Sequence, residues 1–563
     1  MLSSKSTIRD ALKQMSLPSS TTPGFLVVVD ENMKLLGVVS DGDIRRALNR
    51  GATLDDPAIG ISNRLPVCIK RFDSRSRMRT ELLVQLRSTG ASTDRYKFIV
   101  VVDENNRFLE VLPSRKIIDI PIDERTVAVV GLGFVGLTLA VSLASAGVDV
   151  LGFDVNREIL NGLRQGQPHF YEADLDDLMR HPKVKANLSL IDNLQMPIAD
   201  IYMISVGTPV DEAGYPNLEP LNEALSQVAR QLKHGDLVIL RSTVPAGTCR
   251  MLAIPILESS GLRIGGDFHL AFAPERTVEG NALKELRTLP QIIGGFDKVS
   301  IQMAEQLFRK LTHSVVVVDS LEAAELIKLI NNTYRATMFA LANEISLTCD
   351  RFNLVARDVI RLANEGYPRS QVAMPSPGVG GICLDKDPLL FAYDLERSVA
   401  DSHIGLIGRK VNTQVVESII RKMTLFAAQT NRALADLRVL ILGLAFKGEP
   451  ETSDTRASVA LSILERLPAP SKATLADCVI KDLDDSDHKT RFVGDQIQSA
   501  LSDVDVLLIM NNHRKHTQLI TPQVLAQRDK KLLLYDGWGQ FKREDIEQYK
   551  HLVYATPGYL GTS

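Results

Sequence analysis

Short, continuous apolar runs alternate with helix-length segments over most of this chain, and that rhythm predicts where its sheets lie. Residues 126–130, 148–153, 201–206, 237–240, 270–272 and 315–318 are such runs. Runs without polar alternation suit strands buried on both faces, so the expectation is an α/β fold with a parallel, doubly wound sheet. Functional side chains then belong just past the carboxyl ends of its strands. A second series at 439–443, 504–509 and 532–536 predicts a second Rossmann-like domain. Between the two, residues 321–352 are apolar on several faces, as in a buried helix joining two domains, and Asp319 and Glu322 are placed as a cap pair.

The first 120 residues carry a different pattern, an internal repeat. Phe-Leu-Val-Val-Val-Asp-Glu-Asn at 25–32 returns as Phe-Ile-Val-Val-Val-Asp-Glu-Asn at 98–105, 73 residues on, and Ile44 returns as Ile117. Each copy predicts a strand, a turn, a second strand and a helix start. The expected domains are therefore 1–120, 124–320, a central helical region at 321–432, and 433–563.

Composition narrows the class. A chain of 563 residues with 45% hydrophobic and 24% charged residues and a net charge of -3 is an ordinary multidomain soluble protein, with no basic surface for nucleic acid. Arg9, Asp10 and Lys13 break any apolar run at the amino terminus, so it is not a secretory signal. Residues 126–148 carry no charge and are long enough to span a bilayer, but glycines at turn and C-cap positions fit a strand, turn and helix better. Cys68, Cys249, Cys349, Cys383 and Cys478 are odd in number and lack metal-type spacing, which suits a reducing cytoplasm and predicts no metal.

Candidate chemistry follows the strand ends. Gly131-Leu-Gly133-Phe134-Val135-Gly136 opens the helix after the first strand, and Asp154 ends the second. Gly131 permits the turn, Gly133 lets backbone approach a pyrophosphate, and Gly136 allows close helix packing. Asp154 accepts from a ribose 2′-OH and repels a 2′-phosphate, so NAD is expected rather than NADP. Three further rim loops carry Gly207-Thr208-Pro209, Ser242-Thr243 and Glu275-Arg276-Thr-Val-Glu279-Gly280. In the long helix Lys328, Asn332 and Arg335 share a polar stripe. A glycine-rich loop then presents Gly380-Gly381-Ile-Cys383, followed by Lys386-Asp387, which suits a thiol nucleophile whose pKa Lys328 or Lys386 lowers. Cys249 is the rival thiol; it lacks the glycine frame and reads as structural. After the first strand of the last domain come Phe446-Lys447 and Asp454-Thr-Arg456, where a diphosphate is well held.

With these motifs assembled, the chain from about residue 124 resembles the UDP-glucose/GDP-mannose dehydrogenase family. The resemblance implies two Rossmann-like domains joined by a long helix, a homodimer or higher homo-oligomer, and oxidation of a sugar C6 alcohol to the acid with two NAD. It implies that Cys383 adds to the aldehyde, that Lys328 and Asn332 stabilise the oxyanion, that Thr243 and Asp387 position water, and that Glu275 is acid/base in thioester hydrolysis. It further implies that Gly131, Gly133, Phe134, Val135, Gly136, Asp154, Gly207, Thr208, Pro209, Thr243, Glu279, Lys386 and Arg456 contact the cofactor. Arg276, Lys328, Asn332, Arg369, Gly380, Phe446 and Lys447 are the expected contacts to a UDP-sugar.

Arg276, the Gly-Val-Gly-Gly-x-Cys run and Asn332-Thr-Tyr-Arg335 resemble the branch acting on UDP-N-acetylhexosamines, so UDP-N-acetylglucosamine or UDP-N-acetylmannosamine is the expected substrate, with UDP-glucose as the alternative. A surface-polysaccharide precursor is the expected product. A single-step β-hydroxyacid dehydrogenase shares the first domain but has no use for Cys383. Residues 36–48 resemble the second strand and helix of a CBS motif, whose pairs often bind adenine nucleotides, and Ser40 and Asp43 match the ribose-holding positions. The second copy has Pro113 and Lys116 there, so the pair reads either as a nucleotide sensor or as a packing module without ligand.

Overall fold

The computed structural model describes residues 1–17, 22–72, 74–89, 96–191, 195–211, 214–393, 403–481, 483 and 490–562. Its largest sheet has eight strands in the order Val315–Val317, Gln291–Gly295, His269–Phe272, Leu237–Leu240, Ile201–Ile204, Val127–Val130, Val150–Phe153 and Leu188–Ile191. The first strand in sequence lies inside the sheet, and chain order reverses beside it, which creates the crevice where a dinucleotide binds. Val127–Val130, Ile201–Ile204 and Leu237–Leu240 are buried along their whole length, because helices cover both faces. One pair departs from the expected parallel pattern: His269–Phe272 and Gln291–Gly295 run antiparallel.

The charge-free stretch 126–148 divides as its glycines predict, into a strand, a turn and the helix Phe134–Ala146, which Gly147 ends in a left-handed conformation at φ 93°. Among the described residues no helix is long and apolar enough to cross a membrane.

The C-terminal sheet has seven strands: Arg491–Phe492, Ala473–Ala476, Val439–Leu442, Val506–Ile509, Leu532–Asp536, Leu552–Thr556 and Tyr559–Leu560. All its pairs are parallel except the last. Between the two sheets runs the helix Leu321–Asp350, packed on Ile382–Ala392 and Ile404–Gln429. At 30 residues it is roughly 45 Å long. Its cap differs from the expected acidic pair: the Ser320 hydroxyl accepts from the Ala323 N–H at 3.1 Å, while Glu322 pairs with Arg250 at 2.6 Å.

The N-terminal repeat folds as two small sheets, Leu2–Ser3 with Phe25–Val29 and Leu35–Ser40, and Cys68–Lys70 with Phe98–Val102 and Phe108–Pro113. They meet through Val27, Val29, Val38, Val100 and Val102, with the Phe25 and Phe98 rings 5.6 Å apart. The pair is fastened to the amino ends of the large sheet, opposite the crevice. Arg79, on the helix Arg75–Thr89, is fully buried and pairs with Asp200, which precedes Ile201–Ile204, and with Asp236, which precedes Leu237–Leu240, at 3.2 Å. Its Nη2 donates to the His234 carbonyl at 2.8 Å, and Ser76 bonds both Thr126 and Asp200.

Candidate active site

The glycine loop of the large sheet is built for a close-lying ligand. A Cβ at Gly136 would collide with the Gly131 carbonyl oxygen, so only glycine lets this helix start so near the strand. In front of Gly133 and Gly207, by contrast, a Cβ would meet no atom within 4 Å. That open space faces the N-terminus of Phe134–Ala146, whose free N–H groups favour phosphate charge. Asp154 accepts from the Leu132 N–H at 2.7 Å and the Asn156 N–H at 2.8 Å, which fixes its carboxylate at the end of Val150–Phe153. The crevice fits NAD on these observations. Phe134 packs edge-on against Phe170 at 5.2 Å, and the Pro209 carbonyl accepts from Asn217 at 2.7 Å.

Cys383 is the second residue of Ile382–Ala392, beside the helix N-terminus, and its surface opens to the cleft between the sheets. Gly380 and Gly381 press on Phe446 of the C-terminal domain; a Cβ at Gly381 would lie 2.8 Å from that ring. Behind the thiol the Asn332 amide donates to Asp387 at 2.6 Å, and the second Asp387 oxygen is buried without a partner. Lys328 is buried beside Cys383, Asp387 and Glu275, and its ammonium forms no hydrogen bond among the described residues. Lys386 donates to the Thr208 carbonyl and hydroxyl, both at 2.9 Å, and the Thr208 hydroxyl donates to the Thr243 carbonyl at 2.5 Å.

The electrostatics correct one expectation. The neighbouring lysines do not bring the Cys383 thiol below its ordinary range. Although its surface opens to the cleft, the protein packed around it desolvates the thiolate and pushes the thiol up, Asp387 and Glu279 add to that, and Lys328 and Lys386 offset only part. Burial also raises the Asp387 carboxyl, against Lys328, and lowers the Lys386 ammonium. Glu275 behaves oppositely: burial works against its charge, but Arg241, the Thr277 N–H and Lys328 prevail and hold its carboxyl low. Glu279 is pushed up to about 7 by burial and by Asp454, with Arg456 and Lys447 opposing.

The same loops join the two lobes. Lys447 donates to the Glu279 carbonyl at 2.6 Å, Thr452 donates to the Glu279 carboxylate at 3.2 Å, and Arg456 chelates Asp454. Tyr171 donates through its hydroxyl to Glu451 at 3.2 Å and through its N–H to Ser453 at 3.1 Å. Gly280, at φ 85°, leaves no room for a Cβ against the Glu451 carbonyl.

Cys383, Lys328, Asn332, Asp387, Lys386, Thr208, Thr243, Glu275, Glu279, Arg456, Phe446 and Lys447 thus form one continuous network. Two expected contacts lie outside it. Arg369 is exposed, with its guanidinium 6.0 Å from the Tyr367 ring centre, and Arg276 turns back to the Pro290 carbonyl at 2.5 Å. Cys249 is fully buried, its N–H donating to Glu325 at 2.8 Å. Ser40 and Asp43 bond each other at 2.6 Å and together cap the helix Asp41–Asn49. Sequence reasoning missed Arg241, which pairs with Glu275 beneath the cleft. Its signal was a lone arginine directly after an apolar run.

Comparison with known proteins follows the domains of this architecture from residue 125 onward and the first of the two N-terminal repeats. Models of the UDP-glucose/GDP-mannose dehydrogenase family match here: its NAD binding domain at residues 125–312, its central domain at 322–414 and its UDP binding domain at 440–543. A CBS domain matches residues 1–50. A UDP-N-acetyl-D-mannosamine dehydrogenase of Pyrococcus horikoshii is 31% identical over 388 residues, 69% of this chain and 89% of that protein. An NDP-N-acetyl-D-galactosaminuronic acid dehydrogenase of Ralstonia solanacearum is 30% identical, over 72% of this chain and 95% of that one. Among solved structures, the UDP-N-acetyl-mannosamine dehydrogenase from Staphylococcus aureus aligns with a TM-score of 0.66 at 28% identity, covering 77% of this chain and 98% of the other.

Proposed function

The chain belongs to the UDP-glucose/GDP-mannose dehydrogenase family, and on that premise we propose that it oxidises C6 of a UDP-linked N-acetylhexosamine twice, from alcohol to carboxylate. One alcohol, two NAD and one water give one carboxylate, two NADH and three protons. When bound, NAD accepts one hydride in each of the two oxidations. UDP-N-acetylmannosamine or UDP-N-acetylglucosamine is the proposed substrate, supported by the relatives' names and the motif around Asn332 and Cys383.

The observation that carries this reading is the thiol of Cys383 opening to the cleft with Lys328, Asn332 and Asp387 behind it. After the first oxidation the Cys383 thiol releases its proton to solvent and its sulfur bonds to the aldehyde carbon. The developing oxyanion is met by Lys328, whose ammonium is held in place without a hydrogen-bond partner to give up, and by Asn332. Loss of hydride from that carbon leaves a thioester on Cys383. Water then attacks, the carbon–sulfur bond breaks, and the thiolate is regenerated. The unpartnered Asp387 oxygen supports a water-holding role. Glu275, kept ionised by Arg241 and Lys328, is suited to accept a proton from that water rather than to donate one. Lys447, beside the Phe446 ring, is the proposed diphosphate contact.

The test is incubation with NAD and a panel of UDP-sugars, UDP-glucose included, counting NADH per sugar consumed. Two NADH per molecule are expected; one would return the enzyme to a single-step dehydrogenase. Cys383→Ser is expected to cut uronate formation roughly a thousandfold or more.

The functional unit we infer is a homodimer. The central helix and the segment after it expose Leu341, Phe352 and Leu354 around an apolar groove of about 430 Å³, a contiguous apolar surface of the kind that marks an interface. Light scattering on the wild type and on Leu341→Glu is expected to show a dimer and its loss.

A further inference from the structure

Beside the loop that follows Phe446 and Lys447, the C-terminal sheet brings together three side chains that the proposed dehydrogenase chemistry does not use. Cys478 follows the strand Ala473–Ala476, while His513 and His516 follow Val506–Ile509; these strands flank Val439–Leu442. One donor atom from each residue lies within 4.8 Å of the others. His516 is fully buried and neither of its ring nitrogens makes a well-formed hydrogen bond, although the Gln540 side chain and the Asn511 backbone lie beside it. Buried imidazoles are normally satisfied, so this one points to a missing partner. His513 is held by Glu451 at Nε2, 2.9 Å away, and accepts from the Lys515 N–H at Nδ1, 3.1 Å away. A carboxylate behind a ligating histidine is the usual outer support of a metal site.

We propose that Cys478, His513 and His516 bind a divalent transition ion of the zinc class. One thiolate and two imidazoles are a donor set that favours such an ion over magnesium or calcium, with water in the fourth position. Binding replaces the Lys515 N–H at Nδ1, whose lone pair goes to the ion, while Nε2 keeps Glu451, and the Cys478 thiol releases its proton to solvent. The site is structural. Glu451 lies in the loop that crosses to the NAD-binding lobe, where it accepts from Tyr171, so the ion anchors the root of the closing loop. No sequence spacing announces it, because Cys478 and the histidines are far apart in the chain.

Full-length protein stripped with a chelator, reloaded with Zn²⁺ or Co²⁺ and desalted tests the site. One ion per chain is expected, and the Co²⁺ form should show a sulfur-to-cobalt charge-transfer band with the intense visible bands of a tetrahedral site. Cys478→Ser should abolish the charge-transfer band and His516→Gln should abolish retention of the ion. Cys383→Ser should keep both, which separates this site from the catalytic thiol. An ion retained by neither metal-loaded form of the wild type overturns the proposal, as does an unchanged spectrum in Cys478→Ser. If His516→Gln does not fold, the spectra of the wild type and Cys478→Ser decide alone.

Discussion

At Cys383 the competing effects can be ranked. The helix N-terminus and Lys328 favour thiolate, burial and two carboxyl groups oppose it, and the opposition prevails. In protein free of ligands, alkylation by iodoacetamide is therefore expected to titrate with a midpoint above the ~8.5 of an unperturbed thiol. Lys328→Met should raise that midpoint further and slow alkylation at pH 8, because the variant loses the largest charge on the thiolate's side. A midpoint that falls in the variant would overturn this ranking. Glu279 gives a second residue-scale prediction. Its carboxyl, pushed up to about 7, holds a proton that the unfolded chain releases near 4.3. Its contribution to stability is complete below the lower value and is lost as pH rises through the upper one. Between pH 4.5 and 7.5 the wild type should lose about 2–3 kcal/mol relative to Glu279→Gln, measured by urea unfolding at both ends of the range.

Elements differ in how legibly the sequence announces them. The strands Val127–Val130, Ile201–Ile204, Leu237–Leu240 and Val506–Ile509 are runs of large apolar residues buried on both faces, so hydrophobicity alone located them. Gln291–Gly295 escaped notice because it ends in two glycines, which weaken any strand signal. The reason for them is tertiary: a Cβ at Gly294 would meet the Ala324 side chain at 2.8 Å, and one at Gly295 would meet Ile301 at 2.7 Å. Ala473–Ala476 escaped because its two alanines leave only Thr474 and Leu475 to signal a strand, although it is as well paired as its neighbour. In the cleft, Cys383, Lys328 and Asp387 could be chosen from residue type and spacing, whereas Arg241 matters through Glu275, which only the folded lobe brings to it, and Tyr171 through a contact with Glu451 made only once the lobes meet. Gly280 belongs with the latter group. Gly280→Ala puts a Cβ against the Glu451 carbonyl and strains a left-handed backbone, so the closing loop must withdraw. kcat/KM should fall tenfold or more, the kinetic equivalent of about 1.4 kcal/mol or greater, while the thermal midpoint of the folded lobes changes little.

For the whole molecule, the junction between the N-terminal pair and the NAD-binding lobe decides how regulation can be studied. We hypothesise that the pair tunes activity, since a ligand favouring one arrangement shifts its population. Deleting residues 1–120 is the obvious experiment, but it also removes Arg79 from Asp200 and Asp236, which are fully buried at the base of two central strands. Lys233 remains, 3.1 Å from Asp236 and 3.8 Å from Asp200, and Arg125 stays near both carboxylates, but neither supplies the direct contacts that Arg79 makes to the two together. Breaking one side of a buried pair typically costs about 3–5 kcal/mol, so the truncated enzyme should be destabilised in the lobe that carries its cofactor whether or not the pair regulates anything. Arg79→Met in the full chain isolates that effect. It should lower stability on the same scale, and Arg79→Met combined with Asp236→Asn should recover part of the loss, because the stranded charge is then gone. If the double variant is as unstable as the sum of the two single ones, Arg79 acts through packing alone. If it recovers, nucleotide responses must be sought with Ser40 and Asp43 variants of the intact chain, in which the junction is undisturbed.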